Sequence, residues 1–255
     1  MFRFLRIAVL LTILVIVAGN QLLTDSRRSS WDRSLWVTIY PIVADGEAGT
    51  QRYVDSLTPG SFSNIADFIE QQARRYNRQI TAPLVIQLAR PLHDVPPAIP
   101  QQGSKVAVAL WSIKMRWWAW RKSRQSGLTS SDINLFVNFQ QGERFDSLER
   151  SVGVKNASYG VINALASRNA AARNRIVLTH ELLHILGASD KYNLANGQPS
   201  APQGLANPLQ SPLYPQQRAE IMGGRIATSA QTWDRPTSLS SCVIGELTAR
   251  EIGWQ

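Results

Sequence analysis

The sequence predicts an α+β domain behind an N-terminal hydrophobic segment. Two observations carry this. Short runs rich in β-branched and aromatic residues alternate with stretches whose apolar residues recur at helical spacing. Hydrophobic residues make up 44% of the 255 residues and charged residues 18%, which argues against a disordered chain and is ample for a packed core. No internal repeat is present.

Residues 1–30 read as a signal anchor, or a signal peptide, with its linker. Arg3 and Arg6 precede an apolar run from Ile7 to Ala18. The run falls short of the roughly 20 residues of a spanning helix but suits a signal sequence. Ala18-Gly19 offers only a weak cleavage site. Arg27, Arg28 and Arg33 follow, so the flanking charges are nearly balanced. The expectation is a membrane-anchored chain with an extracytoplasmic domain, periplasmic or extracellular, or a secreted one if the segment is cleaved.

Residues 31–255 read as one domain. Leu35–Val43 ("LWVTIYPIV") is the first expected strand. "SNIADFIEQQARRYN" follows as a helix, with Ser63 as its cap and Ile65, Phe68 and Ile69 on one face. Pro83–Ala89 is a second strand, and "PLHDVPPAIP", with its prolines, a loop. In "KVAVALWSIKMRWWAWRKSR", Leu110, Ile113, Trp117 and Trp120 form the expected core stripe, and Trp118, Arg121, Lys122 and Arg124 the outer face. Asp132–Phe139 and Ser158–Ala166 are the third and fourth strands. A helix begins near Asn174, read as its N-cap. After Tyr192 comes a long polar stretch rich in Pro, Gly, Asn and Gln, read as either a functional loop or a flexible segment. "IMGG" follows, and "GELTAREIGW" closes the chain as a helix.

The formal net charge is +9, which suits anionic lipid, nucleic acid, acidic substrates or simply a solvated basic surface. "WSIKMRWWAWRKSR" concentrates tryptophan and basic residues. Core packing with solvated charges, a membrane-interface contact and nucleic-acid binding are its three readings. No nucleic-acid-binding module is recognisable, so no nucleic acid is expected as a partner. Cys242 is the single cysteine and excludes an intrachain disulfide.

The chemistry concentrates in "THELLHILGASDKY", Thr179 to Tyr192. On a helix, His184 lies one turn beyond His180 and about 40° round from it, so both imidazoles reach one ion. Leu178, Leu182 and Ile185 fall on the opposite side and anchor the helix. Glu181 sits beside the pair, where it suits a base acting on water. Gly187 can turn the chain back, and Asp190 is then either a third ligand or a residue supporting the turn. Two histidines and one carboxylate leave a fourth position open, as catalytic zinc requires. His93, in the proline-rich loop, reads as a surface residue.

"HELLHILGASD" is similar to the metzincin pattern HExxHxxGxxH, in the variant with aspartate as third ligand found in snapalysin-like peptidases. The resemblance covers about residues 180 to 224. It implies one catalytic zinc ion held by His180, His184 and Asp190, with Glu181 as catalytic acid and base. Met222 in "EIMGG" would form the methionine turn beneath the metal. It also implies a metzincin-like zincin fold, with a twisted mixed sheet, an active-site helix on the cleft floor and a C-terminal helix. The last strand before that helix, Ser158, Tyr159, Gly160 and Val161, would pair with the peptide substrate. Some metzincins carry a tyrosine two residues after the turn methionine; here that position is Gly224. Tyr192 is then either a substitute that supports the oxyanion or a packing residue.

The function these residues imply is a zinc-dependent endopeptidase acting on peptide or protein substrates, tethered to a membrane through its N-terminal segment. A metal-binding scaffold without turnover and a zinc hydrolase of non-peptide amides are the alternatives.

Overall fold

The structure, a computed structural model, describes residues 30–98, 100, 105–142, 152–153 and 158–255. The anchor expected in residues 1–30 lies outside them, apart from Ser30. Among the described residues no helix is long and apolar enough to cross a membrane.

The strand runs form a single five-stranded sheet in the order β2-β1-β3-β5-β4. β1 (Leu35–Val43), β2 (Leu84–Leu88), β3 (Ile133–Gln140) and β5 (Tyr159–Leu165) are parallel. The two-residue β4 (Val152–Gly153) joins antiparallel to β5, so the sheet is mixed. β1 and β3 carry near-continuous apolar runs because helices cover both faces of the sheet.

Side-chain alternation sorts the strand residues between two cores. Leu35, Val37, Ile39, Leu135, Val137, Ile162 and Ala164 join the larger core, with helices α2 (Ser63–Arg75) and α4 (Ala171–Ile185). Tyr40, Ile42, Phe136, Tyr159 and Val161 join the smaller one, beneath helix α3 (Lys105–Gln125). A short helix, α1 (Ala48–Asp55), follows β1. Each fully buried Leu or Ile here contributes roughly 1.5–3 kcal/mol.

Two helix starts differ from the expected ones. Ser63 does not cap α2; it is the first helical residue and donates to Gly60 O at 3.2 Å. A capping box between Thr58 and Ser61 closes the preceding 3-10 turn instead. Asn174 lies one turn inside α4, where its amide bonds both Leu165 N (3.2 Å) and Leu165 O (2.9 Å). It ties the helix to the end of β5, a role open to a buried amide but not visible in local sequence.

Helix α3 is turned about half a revolution from its expected setting. Met115 and Ala119 are buried, Trp118 packs edge-on against Phe136 at 4.7 Å, and Lys122 buries its stem and pairs with Asp94. Leu110, Ile113, Trp117 and Trp120 point to solvent. The helix carries two opposed apolar stripes at the same spacing, and the sheet accepts the one whose side chains fit around Phe136 and Tyr40.

The polar stretch after Tyr192 lacks long elements but is held by side-chain amides. Gln216 is buried, accepts from Asn207 N (2.7 Å) and donates to Asn207 O (2.9 Å) and Leu213 O (2.8 Å). The closing helix is α5 (Glu246–Glu251). The residues beyond it meet the start of the domain: Trp31 Nε1 donates to Ile252 O at 2.6 Å, and the Trp31 and Trp254 rings lie 5.5 Å apart.

Candidate metal centre

Helix α4 delivers His180 and His184 to one side while Leu178, Leu182 and Ile185 are buried on the other. At its end Gly187 takes φ +114°, a conformation that favours glycine, and Ala188 N reaches back to Leu183 O at 2.9 Å. The chain then returns past the helix and brings Asp190 to the two rings. His180 Nε2 and His184 Nε2 are 3.0 Å apart, and Asp190 Oδ1 stands 3.2 Å and 3.1 Å from them.

The other ring nitrogens decide the chemistry. His180 Nδ1 faces Ile221 O at 2.9 Å, and His184 Nδ1 faces Ala188 O at 2.8 Å. A carbonyl oxygen only accepts, so both Nδ1 atoms carry the proton. Both Nε2 lone pairs therefore converge with a carboxylate oxygen, and three acceptors share one small space. Only a cation, a proton or a metal ion, relieves that arrangement.

Atoms bound tetrahedrally at zinc distances stand about 3.3 Å from one another, close to the separations found here. The donor set of two neutral imidazoles and one carboxylate suits zinc, and the three side chains keep between 15% and 35% exposure, which leaves one side open to a further ligand.

The electrostatics agree. Burial opposes ionisation of Asp190, yet the two imidazoles outweigh it and hold its carboxyl well below the usual range. Burial alone would lower the His180 pKa, but Asp190, the Glu181 charge and Ile221 O raise it. The site draws positive charge. Glu181 is buried beside it and acts on the His180 ring through its charge.

Met222 is fully buried in the turn that follows β6 (Ala219–Glu220). Its neighbour Ile221 supplies the carbonyl to His180, and its own carbonyl accepts Lys191 N at 2.9 Å. The turn is shaped by Glu220, which is wholly buried and accepts from Gly223 N (2.8 Å), Gly245 N (3.0 Å) and Thr248 Oγ1 (2.7 Å). Burial raises the Glu220 pKa against those donors. Gly224 takes φ +68°, a conformation a tyrosine rarely adopts.

Two further expectations fare differently. The Tyr192 ring lies 6.4 Å from the His180 ring, beside the centre. The expected substrate-pairing edge, Ser158 to Val161, is already paired: Gly160 and Val161 oppose Gly153 and Val152 of β4, and the Tyr159 side chain belongs to the core under α3. β4 is the outermost strand on that side among the described residues, because the chain places an antiparallel strand there before it enters β5.

Sequence reasoning missed the support of Asp190. Glu251, in the closing helix, accepts from Ser189 N (3.0 Å), Ser189 Oγ (2.6 Å) and Lys191 Nζ (2.7 Å). The residues on both sides of Asp190 are thereby fixed. The one hint in sequence was a lysine beside the candidate ligand, and nothing local names its partner 60 residues away. Cys242 is buried away from this group, and burial pushes its thiol pKa up to about 12.

No protein-family model matches the sequence, and no curated protein matches it significantly. Among solved structures it is similar to a chain titled "Structure of a chaperone-substrate complex", at 14% identity and a TM-score of 0.41. The match covers 87% of this chain and 34% of that one, so this chain spans about a third of that chain's length. Likeness of that order carries no argument about fold or function.

Proposed function

We propose that the chain is a zinc-dependent endopeptidase of the metzincin type. The observation that supports it is the convergence of His180 Nε2, His184 Nε2 and Asp190 Oδ1 within 3.0–3.2 Å of one another, with both Nδ1 protons committed to carbonyls. These three residues would hold the zinc ion. When bound, zinc supplies a Lewis acid that acidifies water and polarises the scissile carbonyl.

Glu181 takes a proton from the attacking water and returns it to the leaving amine nitrogen. Its position next to His180 on α4 supports that role. Asp190 adds negative charge to the centre, so the metal would be a somewhat weaker Lewis acid than one held by three histidines. An extended peptide would add along the outer edge of β4 rather than along β5. The N-terminal segment would tether the domain to a membrane on its extracytoplasmic side.

The left-handed backbone at Gly224 favours a second reading, a metal-binding protein without turnover, because no tyrosine stands there to support an oxyanion. Cleavage of a mixed protein substrate by zinc-loaded chain, with and without chelator, separates the two. Chelator-sensitive cleavage lost in Glu181→Ala is the expected result. Zinc binding without cleavage of peptides or of non-peptide amides refutes the enzyme.

A further inference from the structure

Helix α3 (Lys105–Gln125) carries a face that packs against none of the described core. Val106, Leu110, Ile113, Trp117 and Trp120 are 55–67% exposed. At 100° per residue they fall within an arc of about 80°, and they run about 21 Å along the axis. Met115, Ala119 and Lys122, which face the sheet, lie on the opposite side. The outer stripe is therefore a second apolar face on a helix already anchored by its first.

Charge decides what covers it. Lys114 and Arg121 border the stripe on one side and Arg116 on the other, and Arg124 closes its C-terminal end. The helix contains no Asp or Glu. Arg121 lies over the Trp117 ring at 5.6 Å and Arg124 over the Trp120 ring at 5.2 Å. A second copy of this face would bring like charges together. The chain's own apolar run, Ile7–Ala18, is itself flanked by arginines and offers nothing to complement them. Apolar side chains centred between cations, with tryptophans that place a ring in hydrocarbon and a polar edge in water, match the boundary of an anionic bilayer.

We infer that α3 docks on the surface of an anionic lipid membrane, with its Val106–Trp120 stripe inserted at the acyl boundary and its cations among the headgroups. The sheet then stands between the membrane and α4, which leaves the face carrying the metal centre turned away from the lipid. This does not depend on the proposed peptidase activity.

The test uses the full chain carrying Ile113→Cys labelled with an environment-sensitive fluorophore; Cys242 is buried and stays unlabelled. The chain is reconstituted in phosphatidylcholine vesicles with or without phosphatidylglycerol, both containing brominated lipid as quencher. The proposed N-terminal tether would bring the chain to either vesicle, and the arginine variants of α3 isolate that helix's share of the difference. Quenching in the anionic vesicles alone is expected, and Arg121→Gln and Arg124→Gln should each lower the docked-to-free ratio about fivefold. A label that stays in water in both vesicles, or is quenched equally in both, overturns the inference. So does a label shielded before lipid is added, whether by the chain itself or, with rising protein concentration, by a second copy.

Discussion

Glu251→Gln tests whether the candidate metal centre depends on a support outside His180, His184 and Asp190. The substitution keeps the side chain's shape and one acceptor but removes the charge. Lys191 is 3% exposed at its side chain and Glu251 23%, so the ammonium is left in a largely dry place without its counter-ion. Breaking a fully buried pair from one side costs about 3–5 kcal/mol; the partial exposure of Glu251 and the retained acceptor bring this to about 2 kcal/mol. For a chain of this size that is a fall of about 4–8 °C in Tm. The same change loosens Ser189 and Lys191 on either side of Asp190, which should weaken zinc binding about tenfold.

The pH dependence gives a second reading of the same variant. Burial opposes ionisation of Glu251, but Lys191 and Ser189 outweigh it and depress its pKa. A depressed carboxyl stabilises the fold fully above its unfolded pKa of about 4.3, and that contribution is lost as pH falls through the lower folded value. The Tm gap between wild type and variant should therefore be full at neutral pH and close in acid. Thermal melts across pH and zinc competition against a chelator check both halves. A variant that melts early yet binds zinc within about twofold of wild type would refute the idea that the clamp positions Asp190.

Other outcomes follow from the same geometry. Glu181→Ala should lower turnover by at least about 10²-fold while retaining one zinc per chain, read by metal analysis beside a cleavage assay. Free zinc at about 100 times its Kd should raise the Tm by roughly 5–10 °C, and Asp190→Asn should lose most of that shift at the same zinc concentration. Asn174→Ala leaves Leu165 N without its amide partner and should cost about 1–3 kcal/mol in denaturant unfolding. Cys242 should resist thiol reagents in the folded chain and react once denaturant unfolds it, because burial holds its thiol protonated.

What could be read from the sequence depended on range. The spacing of His180 and His184 is a property of one helical turn, and the reversal at Gly187 is a property of one residue, so both were legible. The strands were legible because β-branched and aromatic runs are local. The setting of α3 was not, since Leu110-Ile113-Trp117 and Trp111-Met115-Trp118 obey the same period and only partners on the strands, Phe136 and Tyr40 among them, distinguish them. The two-residue β4 was too short to register. Glu251, Glu220 and Asn174 act through partners on other elements, and a buried carboxylate or amide leaves no local pattern.

Consecutive residues of the closing segment hold two stretches of chain that are far apart in sequence. Glu251 grips the stretch that carries Asp190, and the carbonyl of Ile252 receives the Trp31 indole at the start of the domain. Tension applied to the chain ahead of Trp31 would load the end of α5 through that hydrogen bond as well as β1 through the backbone. Glu251, which clamps the residues on either side of Asp190, therefore lies one peptide unit from the carbonyl where such a load arrives. Pulling on the N-terminal side should therefore slacken the hold on Asp190, which ties the candidate metal centre to a mechanical load on the start of the chain's first strand.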